Sequence, residues 1–339
     1  MVSQLTANAL TDLVSDSLPK FGQTALALLG FFGVLVIIFF VAARATGRLQ
    51  APLALMIFLG PAFLLVLIGL VLPAIRTLYL SFYGAATKSF VGIDNYSWAF
   101  TNEDSRQVLL NTAIWIVVAP IGATAVGLLL ALLTDRMKHE AVPKSIIFMP
   151  MAISFVGASI IWNLVYNYRD PNQAPAPSQV GLLTQLALWV GWKNPPNWLL
   201  SQPLNTFLLI IVMIWIQTGF ALVVLSAAIK AIPGDVIEAA SIDGASGFKL
   251  FRTITIPMIR GTLVVVLTTI AIGTLKVFDI VRTMTGGNYG TEVLANSMYR
   301  QTFDISNVGR GAALAVILFI AVVPLVTYNI MQLRKERAS

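Results

Sequence analysis

Residues 232–259 read IPGDVIEAASIDGASGFKLFRTITIPMI, and they sit between two apolar blocks, 205–229 and 261–281. A connection between two such blocks needs only a few polar residues, whereas this one is about thirty residues long. It reads as two short helices. Pro233 stands where a helix can start, and Asp235 and Glu238 favour the positive N-terminal end. Asp243-Gly244 supplies a turn. The second helix runs from Ser246, carries Lys249 and Arg252 in its later half, and is closed by Pro257.

The blocks that flank this segment belong to a longer series. The 339-residue chain is 57% hydrophobic and 11% charged, against about 25% charged in a soluble domain. Its mean hydropathy is +0.82. Apolar runs of the roughly 20 residues that cross a bilayer core occur at 24–43, 53–72, 108–133, 145–166, 205–229, 261–281 and 311–331. The expected fold is therefore an all-α integral membrane protein with about seven transmembrane helices. A shorter segment, GLLTQLALWV at 181–190, is too brief to cross. Trp189, Trp192 and Trp198 flank it, which places it at the membrane interface. The proline-bearing stretch DPNQAPAP cannot be regular helix, and Gly286, Gly287 and Gly290 of TGGNYG suit tight turns. The N-terminal residues lack a basic region and a cleavage site of the secretory kind, so the first span is read as retained.

Basic residues give the orientation. With the N-terminus outside and the C-terminus inside, the inner segments hold Arg44, Arg48, Arg136, Lys138, Lys144, Lys230, Lys249, Arg252, Arg260, Arg334, Lys335 and Arg337. That is about 12 basic residues over roughly 60 positions, against about 9 over roughly 125 outside, as the positive-inside rule expects. The net charge of +7 is explained by this bias, and no nucleic-acid partner is expected. With no cysteine and one histidine, His139, thiolate zinc, iron–sulfur and histidine metal sites are not expected.

Segment 232–259 resembles the EAA motif of the permease subunits of binding-protein-dependent ABC importers. The matching residues are Glu238, Ala239 and Ala240, then Asp243-Gly244-Ala245, then Phe251, Ile254, Ile256 and Pro257. Ile256 stands where the family commonly has leucine, and a second proline common near Gly261 is missing. Further stretches look like the sugar branch of that family: FVGIDNYSWAF (90–100), MPMAISFVGASIIWNLVYN, WIQTGFALVVLSAAIKAIP and FDIVRTMTGGNYGTEVLANSMYRQTF. The resemblance covers about residues 52–333, a six-helix permease core. It divides the chain into an N-terminal segment, 1–50, bearing one extra span, and a permease domain, 51–339, whose coupling loop is about 230–258. An added N-terminal span inclines the resemblance toward maltose and α-glucoside permeases.

The resemblance implies a multi-pass subunit of the bacterial cytoplasmic membrane. It would pair with a second, homologous permease, an ATPase dimer that carries ATP and Mg, and an extracytoplasmic sugar-binding protein, all within membrane lipid. The loop would dock on the ATPase through Glu238, Ala239, Ala240, Asp243, Gly244, Ala245 and Pro257. No GxxxxGK[ST] phosphate loop is present, so no ATPase site and no cofactor of its own are expected. The alternatives are an ABC importer permease for a different solute, such as glycerol phosphate, and an ion-coupled secondary transporter. The latter needs intramembrane carboxylates, for which Asp279 is the principal candidate.

Polar groups inside spans are costly and mark solute paths. The candidates are Asn163, Trp215, Gln217, Thr218, Thr274, Lys276 and Asp279. Trp215 with Gln217 and Thr274 would suit a neutral polyol, an aromatic face beside hydrogen-bonding groups. Bland readings compete: Thr274 bonding its own helix, Lys276 and Asp279 forming a local pair, Trp215 packing. Met151, Phe155 and Met213 are read either as path-lining or as core.

Overall fold

The computed structural model describes residues 50–170 and 179–338, with isolated positions between 22 and 40. The first expected span, 24–43, lies outside the described residues apart from those positions, as does the proline-bearing stretch at 171–178. Among the described residues, five helices are long and apolar enough to cross a membrane, and a bent pair makes a sixth crossing if it counts as one. The protein is an all-α membrane protein.

The chain forms two compact units, Met1–Arg76 and Thr77–Ser339. The first contains α1 (Gln50–Val66), a π turn (Leu67–Val71) and the start of α2 (Leu72–Leu80). The second takes the end of α2 and continues with a short helix, α3 (Asp94–Thr101), and then α4 (Glu103–Thr134). The Asn102 side chain caps α4 by accepting from the Ser105 N–H at 3.1 Å, which satisfies one of the orphan donors of the first turn. Glu103 and Asp104 add negative charge there.

The expected span 145–166 is not one straight helix. It is α5 (Ala141–Phe148), a 3-10 turn (Met149–Ala152) and α6 (Phe155–Val165), bent by 103°. Pro150 sits in the turn, and Ser154 leaves helical geometry to cap α6, its hydroxyl accepting from the Gly157 N–H at 3.1 Å. Hydropathy is blind to this break because the residues on both sides are apolar.

After α7 (Leu182–Trp189), the 27-residue α8 (Leu204–Lys230) forms the centre of the unit. Trp115 of α4 and Leu209 and Met213 of α8 share one buried cluster. Ala123, Ala221 and Leu225 share another with Ile259, Val266 and Ile270 of α11. Small residues bring the backbones together. A Cβ on Gly127 would lie 2.5 Å from Ala221 Cβ and 2.9 Å from the Leu222 nitrogen.

The segment after α8 contains α9 (Gly234–Ile242) and α10 (Gly247–Leu250), as expected for two short helices. Pro257 does not close the second. A π turn, Phe251–Thr255, carries the helix into α11 (Ile256–Leu275), so one apolar helical stretch runs Gly247–Leu275. The Ile256 N–H reaches back to the Phe251 carbonyl in this widened turn. Pro257 follows directly, and the widened turn before it accommodates a residue that lacks a donor. At the other end the helix stops at Leu275, short of the expected 281. α12 (Asp279–Met284) starts anew, followed by α13 (Leu294–Tyr299), a π turn (Arg300–Asp304) and α14 (Val308–Ala338). Gly286, Gly287 and Gly290 take the positive φ values of 65°, 81° and 70° that their turns require.

Candidate coupling loop and solute path

The bundle has two ends. The loop end gathers the C-termini of α4 and α8 with α9 and α10. The far end gathers Tyr166, the start of α8 and segment 276–307.

At the loop end, α9 is terminated by paired backbone bonds. The Ala245 N–H donates to the Ala240 carbonyl at 2.9 Å and the Gly244 N–H to the Ser241 carbonyl at 3.1 Å. Gly244 stands between them at φ +77°. This is the Schellman geometry that favours glycine, because a Cβ strains the left-handed conformation. Ala240 and Ala245 are buried inside the turn. Glu238, Ala239, Asp243 and Pro257 face outward, as do Ile242, 82% exposed, and Phe248, 74% exposed. The loop thus presents two carboxylates beside two exposed apolar side chains. Sequence reading named the carboxylates and the small residues and passed over Ile242 and Phe248.

Beside this loop lies an ionic cluster that sequence reading also passed over. Lys144 Nζ contacts Asp135 Oδ1 at 2.5 Å and Glu140 Oε2 at 2.8 Å. Ser226 Oγ of α8 donates to Asp135 Oδ1 at 2.6 Å, and Lys230 pairs with Glu140. The Lys144 and Lys230 ammonium groups hold the Glu140 carboxyl well below the usual range, at about 2. The signal was present in TDRMKHE and in Lys230, but residues about ninety apart in the chain meet only once α4, α5 and α8 are packed.

Along the bundle, the expected path residues divide. Thr218 and Thr274 are buried, and their hydroxyls donate to the Ile214 and Ile270 carbonyls of their own helices at 2.7 and 2.8 Å. In this conformation neither is free to meet a solute. Met213 is buried in the core, while Met151 and Phe155 are exposed. Trp215 is half-buried and meets Trp162 edge to face at 5.7 Å. Gln217 is half-buried, and its Nε2 would lie 3.8 Å from a Cβ on Gly273 of α11. Lys276 is exposed at the end of α11 and Asp279 opens α12. Among the described residues no ion pair joins those two.

Asn163 belongs to the far end. It lines a cavity of about 490 Å³ with Asn167, Tyr168, Asn197, Asn288 and Tyr289 among others. Asn111 of α4 and Asn205 of α8 brace the adjoining turn. Asn111 Nδ2 donates to the Gly290 and Glu292 carbonyls at 2.6 and 2.9 Å, and Asn205 Nδ2 to the Tyr289 carbonyl at 2.7 Å. Burial pushes the Glu292 carboxyl up, against the lowering effects of Asn296, the Val293 N–H and Arg300.

Five or six membrane-crossing helices joined by a long exposed loop define an integral membrane subunit. The chain belongs to the family of binding-protein-dependent transport system inner membrane components, whose model matches residues 123–338. It is the permease subunit of an ABC importer. It is 48% identical to the osmoprotective compounds uptake permease protein GgtC of Synechocystis, over 82% of this chain and 98% of that protein. It is 45% identical to the alpha-glucoside transport system permease protein AglF of Rhizobium meliloti, over 83% of this chain and 82% of that protein. A solved bacterial ABC transporter that imports alginate has the same fold. Its TM-score is 0.70 at 22% identity, over 84% of this chain and 97% of that one.

Proposed function

We propose that this chain forms half of the pathway by which a neutral glycoside, of the α-glucoside or disaccharide class, enters the cytoplasm. An extracytoplasmic binding protein delivers the sugar, a second, homologous permease supplies the other half, and an ATPase dimer holding ATP and Mg drives the cycle. The observation that carries this reading is the exposed loop at 232–259 in a chain 45% identical to an alpha-glucoside permease. A loop that ends in a glycine-capped turn and presents Glu238, Asp243, Ile242 and Phe248 is built to be gripped by a partner.

In this reading the loop end faces the cytoplasm and residues 1–50 are an appendage to the permease domain at 51–339. Closure of the ATPases moves Glu238, Ala239, Ala240, Asp243, Gly244 and Ala245 as one body. Pro257 lies in the helix that transmits the movement, since α10 and α11 are continuous. Among the path residues, Gln217, Trp215, Asn163, Lys276 and Asp279 are the ones whose side chains are not closed off. Thr218 and Thr274 would join the path only in another state of the cycle. A second reading, uptake of an osmoprotective compound, is favoured by the 48% identity to a permease of that kind.

The test is reconstitution of the full complex in liposomes with its binding protein. ATP-dependent uptake of labelled trehalose, maltose or methyl α-glucoside is expected. Uptake that ignores ATP and follows a proton or sodium gradient would make the chain a secondary transporter and sink the proposal.

A further inference from the structure

We infer that the far-end cavity around Asn163, Asn197 and Tyr289 is a receiving subsite for an uncharged glycoside, occupied before the sugar enters the membrane path. This rests on the glycoside reading above and adds a site to it. Four observations carry it.

The cavity is the right size. Its volume of about 490 Å³ lies within the ~300–1,000 Å³ of small-molecule sites. Its chemistry is neutral. None of its lining residues is Asp, Glu, Lys or Arg, so nothing there compensates a phosphate or a carboxylate, whose desolvation is expensive. A neighbouring cavity of about 480 Å³, lined by Asp104, Glu292, Arg300 and Arg310, has the opposite character. The neutral one suits hydroxyl groups.

Some of its polar groups are unspent, although Tyr166, Thr285 and Asn288 are hydrogen-bonded. The side-chain oxygens Oδ1 of Asn163 and Asn167 are buried without a hydrogen-bond partner. Native structures leave few such groups unpaired, and those that remain mark water or ligand positions. The carboxamide of Asn197 is held by no other side chain among the described residues, and the backbone carbonyl of the same residue closes a turn with Leu200 and Ser201. The Asn197 carboxamide is thus left available, beside two side-chain oxygens that still lack a partner.

Finally, one aromatic ring is displayed at a conformational cost. Tyr289 has φ +54°, uncommon for a residue with a bulky side chain and a marker of functional strain where the surroundings enforce it. They do so here: Asn205 holds the Tyr289 carbonyl and Asn111 holds the next one. The ring is left 51% exposed at the edge of the cavity. A flat aromatic face beside several carboxamides is an arrangement that receives a sugar ring, the face meeting its C–H groups and the amides its hydroxyls.

The chain has no cysteine, so Asn197→Cys gives a single thiol in the cavity if the partner subunits are also cysteine-free. Alkylation of that thiol by N-ethylmaleimide is measured in the reconstituted complex with trehalose, maltose or methyl α-glucoside, and with glycerol 3-phosphate. The glycoside that wild-type complex imports is expected to slow labelling by about fivefold or more, and glycerol 3-phosphate to leave it unchanged. Tyr289→Asn, which keeps a residue tolerant of positive φ, is expected to raise the KM for uptake about tenfold at unchanged kcat. Tyr289→Phe, which keeps the ring, restores it. If wild-type complex imports a glycoside while labelling is unprotected and both KM values match wild type, the subsite is overturned and the transport reading stands. If it imports no glycoside, both fall together.

Discussion

Gly244 shows how one residue can matter without touching anything. A Cβ there would meet nothing within 4 Å, so substitution causes no clash, and the whole penalty is the left-handed backbone at φ +77°. For alanine that penalty is about 1–2 kcal/mol, and asparagine tolerates the conformation better. Gly244→Ala is expected to insert normally yet lower both the ATPase bound per complex and the rate of uptake, with Gly244→Asn closer to wild type. Glu238→Lys reverses an exposed charge on the same face and is expected to cut bound ATPase more deeply than either. Co-purification stoichiometry and uptake on the same preparations check this, and a full ATPase complement in Glu238→Lys would remove that residue from the interface. The loop's small and acidic residues were legible in the sequence because Asp-Gly and the EAA pattern are local signals. Ile242 and Phe248 were not, since in an apolar-rich chain their exposure depends on how α9 and α10 fold back.

At the scale of elements, the α4–α8 contact shows what glycine does inside a span. Gly122 and Gly127 both face α8. A Cβ on Gly122 would approach Ile214 Cδ1 at 2.5 Å, the mobile tip of a side chain, whereas one on Gly127 would approach Ala221 Cβ and the Leu222 backbone. A rotamer change relieves the first and only helix displacement relieves the second. Gly122→Ala is expected to keep near-normal thermal stability and Gly127→Val to lose about 1–3 kcal/mol, the usual cost of overpacking. Melting in detergent followed by size-exclusion chromatography reads both. The ionic cluster ties the ends of the same helices. Asp135→Asn removes the carboxylate shared by Lys144 and Ser226 and is expected to cost about 1–3 kcal/mol. Because the Glu140 pKa is depressed to about 2, its contribution is present above the ordinary carboxylate range and fades as pH falls toward 2. Glu140→Gln should therefore flatten the acid limb of the melting profile, and an unchanged limb would dismiss the cluster. Among the described residues hydropathy located the apolar crossings because apolar length is additive along the chain. It missed the 103° bend at 153–154 and the π turn ahead of Pro257, which depend on which backbone donors are left unmatched. Sequence left Thr274 open between the solute path and its own helix, because a threonine hydroxyl that bonds its own helix looks the same in sequence as one that meets a solute.

At the scale of the whole molecule, the question is which way the bundle faces. The 27 residues of α8 extend about 40 Å, enough to separate the loop at Ser246 from Lys193 on opposite sides of the hydrocarbon core. Lys230 ends α8, and Lys249 and Arg252 follow in the loop, so one end carries a dense basic set. The segments assigned to the far side carry basic residues such as Arg282 and Arg300 at less than half that density along the chain. In the proposed orientation, which the positive-inside rule favours, the loop end faces the cytoplasm and the ATPase, and the neutral cavity faces the side from which a binding protein delivers. The chain's lack of cysteine makes the prediction direct. In spheroplasts, an impermeant maleimide is expected to label Lys193→Cys and to spare Ser246→Cys until the membrane is permeabilised. The reverse pattern would invert the protein, put the coupling loop beyond the reach of any cytoplasmic ATPase, and require the receiving subsite to open on the cytoplasmic side, where no binding protein could load it.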